Sequence, residues 1–393
     1  MNTAGYKAEA DRELHAILLY WMENTPDLVH GGFIGRIDGQ DRPHPGAPKG
    51  LVLNSRILWT FSAAWRSTGQ GIYRPMADRA YAYLLHNFLD REYGGAFWSL
   101  NAAGQPLDPR KQIYGQAFAL YGLSEYYRAS GEKAALDEAV SLFRLIEQHS
   151  FDPRQNGYFE AFARDWSLLE DVRLSDKDAN DPKTMNTHLH ILEAYTNLYH
   201  AWPDPLLENR IIGLLDIFDR HIIGAGGHLG LFFDANWKKR GGNISYGHDI
   251  EAAWLLHEAA LVINNNQWIT KTSRHALRIA AAAAEGLDTD GGLWHEQQDG
   301  HLIRQKHWWP QAEAMVGFLQ AWQLSGDAIW WQRSLDSWNF VKEHIRSPDG
   351  KEWYWGVEAD NSPIPGQDKA GFWKCPYHNG RACLEIIRRL QVY

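Results

Sequence analysis

The chain has 393 residues, 45% of them hydrophobic and 22% charged, a balance that supports a sizeable packed core and speaks against disorder. Its formal charge of -9 at pH 7 argues against nucleic acid as a partner, because neutralising phosphates takes clustered Lys and Arg and no such block occurs. Two cysteines, Cys375 and Cys383, are too few for a disulfide framework or a thiolate metal cage and fit a reducing compartment.

In chain order the first element is a helix over Tyr6 to Met22. Lys7, Glu9, Asp11, Arg12 and Glu13 interrupt its apolar residues, so it reads as amphipathic and not as a secretory signal. No apolar run approaches the ~18 residues of a membrane span, and the expected location is the cytoplasm, with no membrane partner. A turn of Gly plus aromatic residues follows at Gly31-Gly32-Phe33. It recurs roughly every sixty residues, as Gly94-Gly95-Ala96-Phe97, Gly157-Tyr158-Phe159, Gly230-Leu231-Phe232, Gly291-Gly292-Leu293-Trp294 and a degenerate Trp353-Tyr354-Trp355-Gly356. Each copy predicts a short turn or β-hairpin.

Two helical stretches lie between copies. Ile57, Leu58, Phe61 and Trp65 form one apolar stripe, and Tyr73 to Phe88 carries the next. Similar pairs run over Gln112 to Arg128 with Lys133 to His149, Thr187 to His200 with Leu206 to His221, His248 to Val262 with Trp268 to Glu285, and Gln311 to Leu324 with Ala328 to Ile345. The N-terminal helix and one over Tyr377 to Leu390 supply a sixth pair. An open solenoid needs polar caps at its ends. These terminal helices are as apolar as the rest, so the expectation is a closed all-α toroid of twelve helices, an (α/α)6 barrel with short β-hairpins in its loops. It forms one domain over residues 1–393, with the charged stretch Ser175 to Lys183 as a surface loop within the ring.

The composition is rich in aromatics: 19 Trp, 17 Tyr and 15 Phe. Aromatic faces stack on the C–H faces of pyranose rings, which points to a small-molecule carbohydrate substrate; aromatics as bulky core filler is the other reading. The second helix after each aromatic turn is expected on the inside of the ring, with its start at one common mouth. The six starts are Asn54-Ser55-Arg56, Tyr114-Gly115-Gln116, Asn186-Thr187-His188-Leu189-His190, Tyr246-Gly247-His248-Asp249-Ile250-Glu251, Trp308-Trp309-Pro310-Gln311-Ala312-Glu313 and Trp373 to Arg381. Each carries more polar or aromatic side chains than an N-cap alone requires.

His190, His248 and His378 then converge with Arg56, Glu251 and Glu313. Imidazoles titrate near neutrality and can act as base and acid by turns. Epimerisation beside a carbonyl needs two such groups, one on each face of the carbon, and donors for the enediolate between them. His248 and Glu251, three apart, share a helical face on which the carboxylate can orient the imidazole. Taken singly, a histidine more often packs than reacts; the six starts together carry the case. His190, His248, Glu251 and His378 are competent metal ligands, yet no HExxH is present, and His188 and His190 diverge on a helix. No Walker loop or dinucleotide fingerprint occurs, and no cofactor or metal is expected.

The strings Leu53-Asn54-Ser55-Arg56-Ile57-Leu58-Trp59, Met185 to His190, Ser245 to Ala252 and Trp373 to Arg381 resemble those of the cellobiose 2-epimerases, within the N-acylglucosamine 2-epimerase superfamily, over about Gly31 to Arg389. The resemblance implies an (α/α)6 barrel, no required cofactor, and interconversion of glucose and mannose at the reducing end of β-1,4-linked disaccharides such as cellobiose and lactose. It puts His248 and His378 in the acid/base roles. Arg56, Asn186 and His190 would bind the C1 and C2 oxygens, with Glu251 assisting ring opening or supporting His248. Trp309 and Trp373 would stack on sugar, with Trp308 beside them and Glu313 on a hydroxyl; Tyr114 and Arg381 complete the expected substrate contacts. Gly371-Phe372 departs from the pattern, which has a polar residue before Trp373. The alternatives are a mannose 2-epimerase or aldose–ketose isomerase on a free monosaccharide, an inverting hydrolase using Glu251 and Glu313, and a non-catalytic carbohydrate-binding toroid. A monomer or weak homodimer is expected.

Overall fold

Twelve α-helices carry the chain in a computed structural model that describes residues 2–175 and 178–391. Met1, Asp176, Lys177, Val392 and Tyr393, which the expected domain and the Ser175 to Lys183 loop include, lie outside the described residues. The helices are α1 (Thr3–Asn24), α2 (Leu51–Thr68), α3 (Arg74–Tyr83), α4 (Ile113–Ser130), α5 (Lys133–His149), α6 (Met185–Ala201), α7 (Pro205–Ile217), α8 (Tyr246–Val262), α9 (Asn266–Ala283), α10 (Trp308–Ser325), α11 (Ala328–Phe340) and α12 (Tyr377–Arg389). Helix α2 packs on α4, and the contacts continue through α6, α8, α10 and α12 back to α2, which closes an inner ring of six. Helices α3, α5, α7, α9 and α11 each lie outside the inner helix that precedes them, and α1 covers α12. The fold is the (α/α)6 barrel, with α1 and α12 as the sixth pair.

Burial follows this order. Helix α4 is buried from Ile113 to Tyr126, whereas α5 buries little more than Ala135, Ala139, Leu142, Phe143 and Ile146. The inner helix is therefore the first after each aromatic turn, not the second; the six starts themselves are the inner ones. Where inner helices cross, side chains must give way. A Cβ on Gly317 would stand 2.6 Å from the Ile250 carbonyl, so glycine lets α10 approach α8 despite its cost within a helix.

Two-residue strands tie successive repeats together at one end of the ring. Lys49–Gly50 pairs with Ser99–Leu100, Lys111–Gln112 with Ala161–Phe162, Lys183–Thr184 with Phe232–Phe233, and Lys306–His307 with Gly356–Val357. A buried lysine stands in each of the first strands, held by an acid from an aromatic turn: Lys49 by Asp27 at 2.7 Å, Lys111 by Asp90 at 2.9 Å, Lys183 by Asp152 at 2.8 Å and Lys306 by Asp290 at 2.6 Å. Lys374 and Glu352 repeat the motif before α12 at 2.8 Å. In four copies the other carboxylate oxygen accepts one or two backbone N–H groups of the turn itself, so one acid both folds the turn and fastens the next helix start. The fourth repeat has Ile244 in that position. No helix among the described residues is long and apolar enough to cross a membrane.

Candidate active site

All six inner helices begin at the same end of the ring, and only α6 has its N-cap side chain bonded to its own first turn. Five of the outer helices do use their N-cap side chains, those of Asn2, Glu132, Asp204, Asn265 and Asp327. The first N–H of α2, α4, α6 and α10 instead goes to a carbonyl of the next hairpin, at Trp98, Glu160, Leu231 and Trp355. The inner starts thus leave side chains free and aim the positive ends of their helices at the mouth.

His248 and His378 meet there. The indole of Trp309 contacts both imidazoles, with centroids at 4.7 Å from His248 and 5.6 Å from His378. Gly247 makes room, since a Cβ there would lie 2.5 Å from the Trp309 ring. Nδ1 of His248 lies 2.7 Å from Ser245 Oγ, and Nδ1 of His378 lies 2.7 Å from Glu313 Oε1. With Nδ1 engaged in both, Nε2 is left for chemistry. Burial, and then the neighbouring His190 imidazole, pulls His248 down to about 3; burial and the Arg56 and Arg381 guanidiniums hold His378 well below the usual imidazole range. Both are neutral at pH 7.

His190 completes the group. Its Nδ1 is 2.9 Å from Glu193 Oε2, and its ring stands against Tyr114 and Phe118. His188 points elsewhere, between the Thr184 carbonyl and the Tyr158 N–H, as the helical divergence predicts. Arg56 donates to the Tyr114 hydroxyl at 2.7 Å and lies over the Phe118 and Tyr377 rings; its Nε and the Asn186 Oδ1 have no protein partner. Trp309 and Trp373 are partly exposed, while Trp308 is buried behind them against Trp355.

Three expectations need correction. Glu251 does not orient His248: its Oε1 accepts from Arg381 at 2.5 Å and lies 4.0 Å from His378 Nδ1, because a buried guanidinium outcompetes an imidazole for a carboxylate. Ser245 holds His248 in its place. Glu313 is not free for a sugar hydroxyl, since Oε1 takes His378 and Arg381 and Oε2 accepts from Trp254 at 3.0 Å. Arg381 is not a substrate contact but the hub of a buried network, donating to Glu193, Tyr377, Glu251 and Glu313.

Electrostatics divides these acids. Burial would raise Glu193, but Arg381 and the bonds to His190 and Tyr377 hold it at about 2. Glu251 and Glu313 are raised, chiefly by burial, and for Glu251 also by the neighbouring Glu313 charge. Glu251, Glu313 and His378 bring ligand atoms within 4.8 Å of one another, the single such group among the described residues. Arg381 already supplies the cation there, which leaves poor provision for a metal. The same shared guanidinium removes the hydrolase reading, since both acids face Arg381 and not a gap wide enough for a water and a scissile bond.

A cavity of about 250 Å³ opens beside His248, lined also by Asn186, Glu160, Ser245 and Glu296. A second, of about 350 Å³, lies beyond Trp373, with Trp98, Phe372, Asp108 and Arg110 in its wall. Arg173, Leu174 and Ser175 border both. Phe372, the departure from the expected pattern, packs at a tilt against Trp98 at 4.9 Å and Trp373 at 5.4 Å between ring centroids. Sequence reasoning missed Glu193, although it stands three residues after His190 as Glu251 does after His248. It also passed over Glu160, Glu296 and the five buried lysines, which recur in every repeat but the fourth.

An inner ring of helix starts carrying neutral histidines beside an arginine defines the class, an (α/α)6-barrel protein with its buried histidines gathered at one mouth. The chain belongs to the N-acylglucosamine 2-epimerase (GlcNAc 2-epimerase) family, whose model matches residues 32–382. It is 51% identical over 385 residues to the cellobiose 2-epimerase of Bacteroides fragilis, covering 97% of this chain and 98% of that one. Among solved structures it is similar to the cellobiose 2-epimerase of Bacillus thermoamylovorans, with 39% identity, a TM-score of 0.94, and coverage of 99% of this chain and 100% of that one. It is likewise similar to the cellobiose 2-epimerase of Spirochaeta thermophila, with 40% identity, a TM-score of 0.92, and coverage of 100% and 98%.

Proposed function

We propose that the protein is a sugar 2-epimerase that interconverts glucose and mannose at the reducing end of β-1,4-linked disaccharides, turning cellobiose into glucosyl-mannose and lactose into epilactose. One observation carries the reading: two neutral imidazoles, His248 and His378, flank Trp309 at a common mouth with Nδ1 of each already occupied. The C2 hydrogen becomes acidic only beside a carbonyl, so the pyranose must first open to its aldehyde. Nε2 of one histidine then takes the C2 proton, and the other returns a proton to the opposite face.

His378 suits the donor role. A neutral imidazole that gives up its Nε2 proton must be refilled at Nδ1, and Glu313 there, with Glu251 behind it, is raised so that the pair holds a proton at neutral pH. After one turnover His248 carries the proton that the acid pair has lost, and exchange with water restores both. Arg56, with its Nε–H unspent on protein, and the neutral His190 are set to donate to the C1 and C2 oxygens of the cis-enediolate, while the Asn186 Oδ1 can accept from a hydroxyl there. The cavity beyond Trp373 has the aromatic walls and polar rim to take the second sugar, which favours a disaccharide over free mannose.

The test is incubation with cellobiose, lactose and free mannose in deuterated water containing a chelator. The expected product keeps its chain length and has a mannose-type reducing end with deuterium at C2. A fructose-type product labelled at C1 would make the protein an isomerase, release of glucose would make it a hydrolase, and faster turnover of mannose than of cellobiose would move the specificity to monosaccharides.

A further inference from the structure

We infer that Glu296 is the positioning residue of His248, a carboxylate set beside the imidazole to balance the positive charge it takes on when it removes a proton from C2. This rests on the epimerase reading in one respect, that His248 is a base. The placement comes from strand register. Glu296–Gln298 forms a hairpin with His301–Ile303, and Gln297 bridges Ile244 antiparallel through two backbone hydrogen bonds of 2.9 Å. Side chains alternate across such a ladder. Ile244 and Gln297 face one way, while Ser245 with Glu296 and Asn243 with Gln298 face the other, and these four line the His248 cavity where the first two do not. Glu296 is therefore the cross-strand neighbour of Ser245, whose hydroxyl lies 2.7 Å from His248 Nδ1.

The repeats supply an internal control. The residue opposite the N-cap of an inner helix is Ser99 for Gly50, Ala161 for Gln112, Phe232 for Thr184 and Gly356 for His307. A carboxylate takes that place only beside His248. It is held ready, with Oε1 accepting from Gln298 Nε2 at 2.8 Å and lying 3.1 Å from His295 Nε2, both on one oxygen. Burial alone would raise this carboxyl, but the hydrogen bond with His295 keeps it below the usual range and ionised. His248 is also faced by His190 from α6, Glu313 from α10 and His295 from the hairpin; the two imidazoles oppose its protonation, and the two carboxylates favour it, Glu296 before Glu313. Glu313 is committed to Arg381 and His378, so Glu296 is the carboxylate left to serve His248. A base held as low as His248 takes up a proton poorly without such a partner.

The test measures kcat and KM for cellobiose across pH, with deuterium incorporation at C2, in Glu296→Gln, Glu296→Asp and His248→Ala. Glu296→Gln keeps size and hydrogen bonding but loses the charge. It should lower kcat about tenfold for each pKa unit of proton affinity lost by the base, shift the acidic limb of the kcat profile to lower pH and leave KM nearly unchanged. Glu296→Asp should recover most of the rate. A Glu296→Gln profile with an unmoved acidic limb, a rise in KM alone, or equal loss in Asp and Gln variants would overturn the inference. Labelling that survives in His248→Ala would bring down the parent reading instead, whereas an unchanged Glu296→Gln beside a dead His248→Ala brings down this inference alone.

Discussion

The inner ring has a cavity at each end, and the two differ in how their polar groups are spent. At the opposite end from His248, about 220 Å³ is enclosed by the later turns of α2, α4, α6, α8 and α12. Its four arginines, Arg66, Arg128, Arg381 and Arg388, all hold glutamates, and its four glutamates, Glu125, Glu193, Glu258 and Glu385, all hold arginines. Two buried donors of that cavity, Trp59 Nε1 and Arg381 Nε, lack a protein partner, whereas at the histidine end three acceptors, Asn54 Oδ1, Asn186 Oδ1 and Glu251 Oε2, lack one together with the donor Arg56 Nε, and the helix ends carry positive potential. Charge in itself does not make a site; polar atoms held in place and left unsatisfied do, because a ligand then repays their desolvation.

The comparison is sharpened first by removing chemistry at one end. His248→Ala and His378→Ala should each lower C2 deuterium incorporation on the order of 10³-fold with near-normal urea unfolding; robust labelling in either variant takes that residue out of proton transfer. Arg381 joins the two ends, so Arg381→Met strands Glu193, Glu251 and Glu313 in the interior. A loss of about 3–5 kcal/mol in unfolding free energy at pH 7 is expected, smaller at pH 5 where the acids take up protons. Equal stability at both values would deny the network its role.

Glu160 tests the mouth by pH. Burial raises it to about 8 although Thr187 and Thr184 bond to it. A carboxyl raised on folding contributes its full stability below its ordinary value of 4.5 and loses it as pH rises towards 8, because the unfolded chain releases the proton first. Glu160→Gln should therefore gain on the wild type by about 2–4 kcal/mol between pH 5 and 8, and parallel stability curves would refute a raised Glu160. The smallest effect belongs to the far end. Arg66→Ala removes a half-exposed partner of Glu125 and should cost less than about 1 kcal/mol with kcat unaltered. A tenfold fall in kcat would erase the distinction between the two ends.

Much of the barrel was legible in the sequence because each repeat is local. Apolar periodicity marks the helices, glycine with aromatics marks the turns, and the six starts name Arg56, His190, His248, Trp309 and His378 as neighbours. The inward helix was misassigned because both members of a pair are amphipathic, and only burial on all sides of α4 from Ile113 to Tyr126, against a single stripe of five buried residues on α5, separates them. The three corrected contacts share a cause. Glu251, Glu313 and Arg381 were read against a sugar, yet in the fold they satisfy one another across helices 130 and 68 residues apart.

The sequence by itself determined the repeat, the helix count and which chemical groups arrive at the mouth, since all three follow from patterns within a single repeat. Tertiary structure decided which of those groups remain for a substrate. Hydrogen-bond partners in a closed ring come from different helices, and a buried charge takes the strongest counter-charge within reach, however far off it lies along the chain.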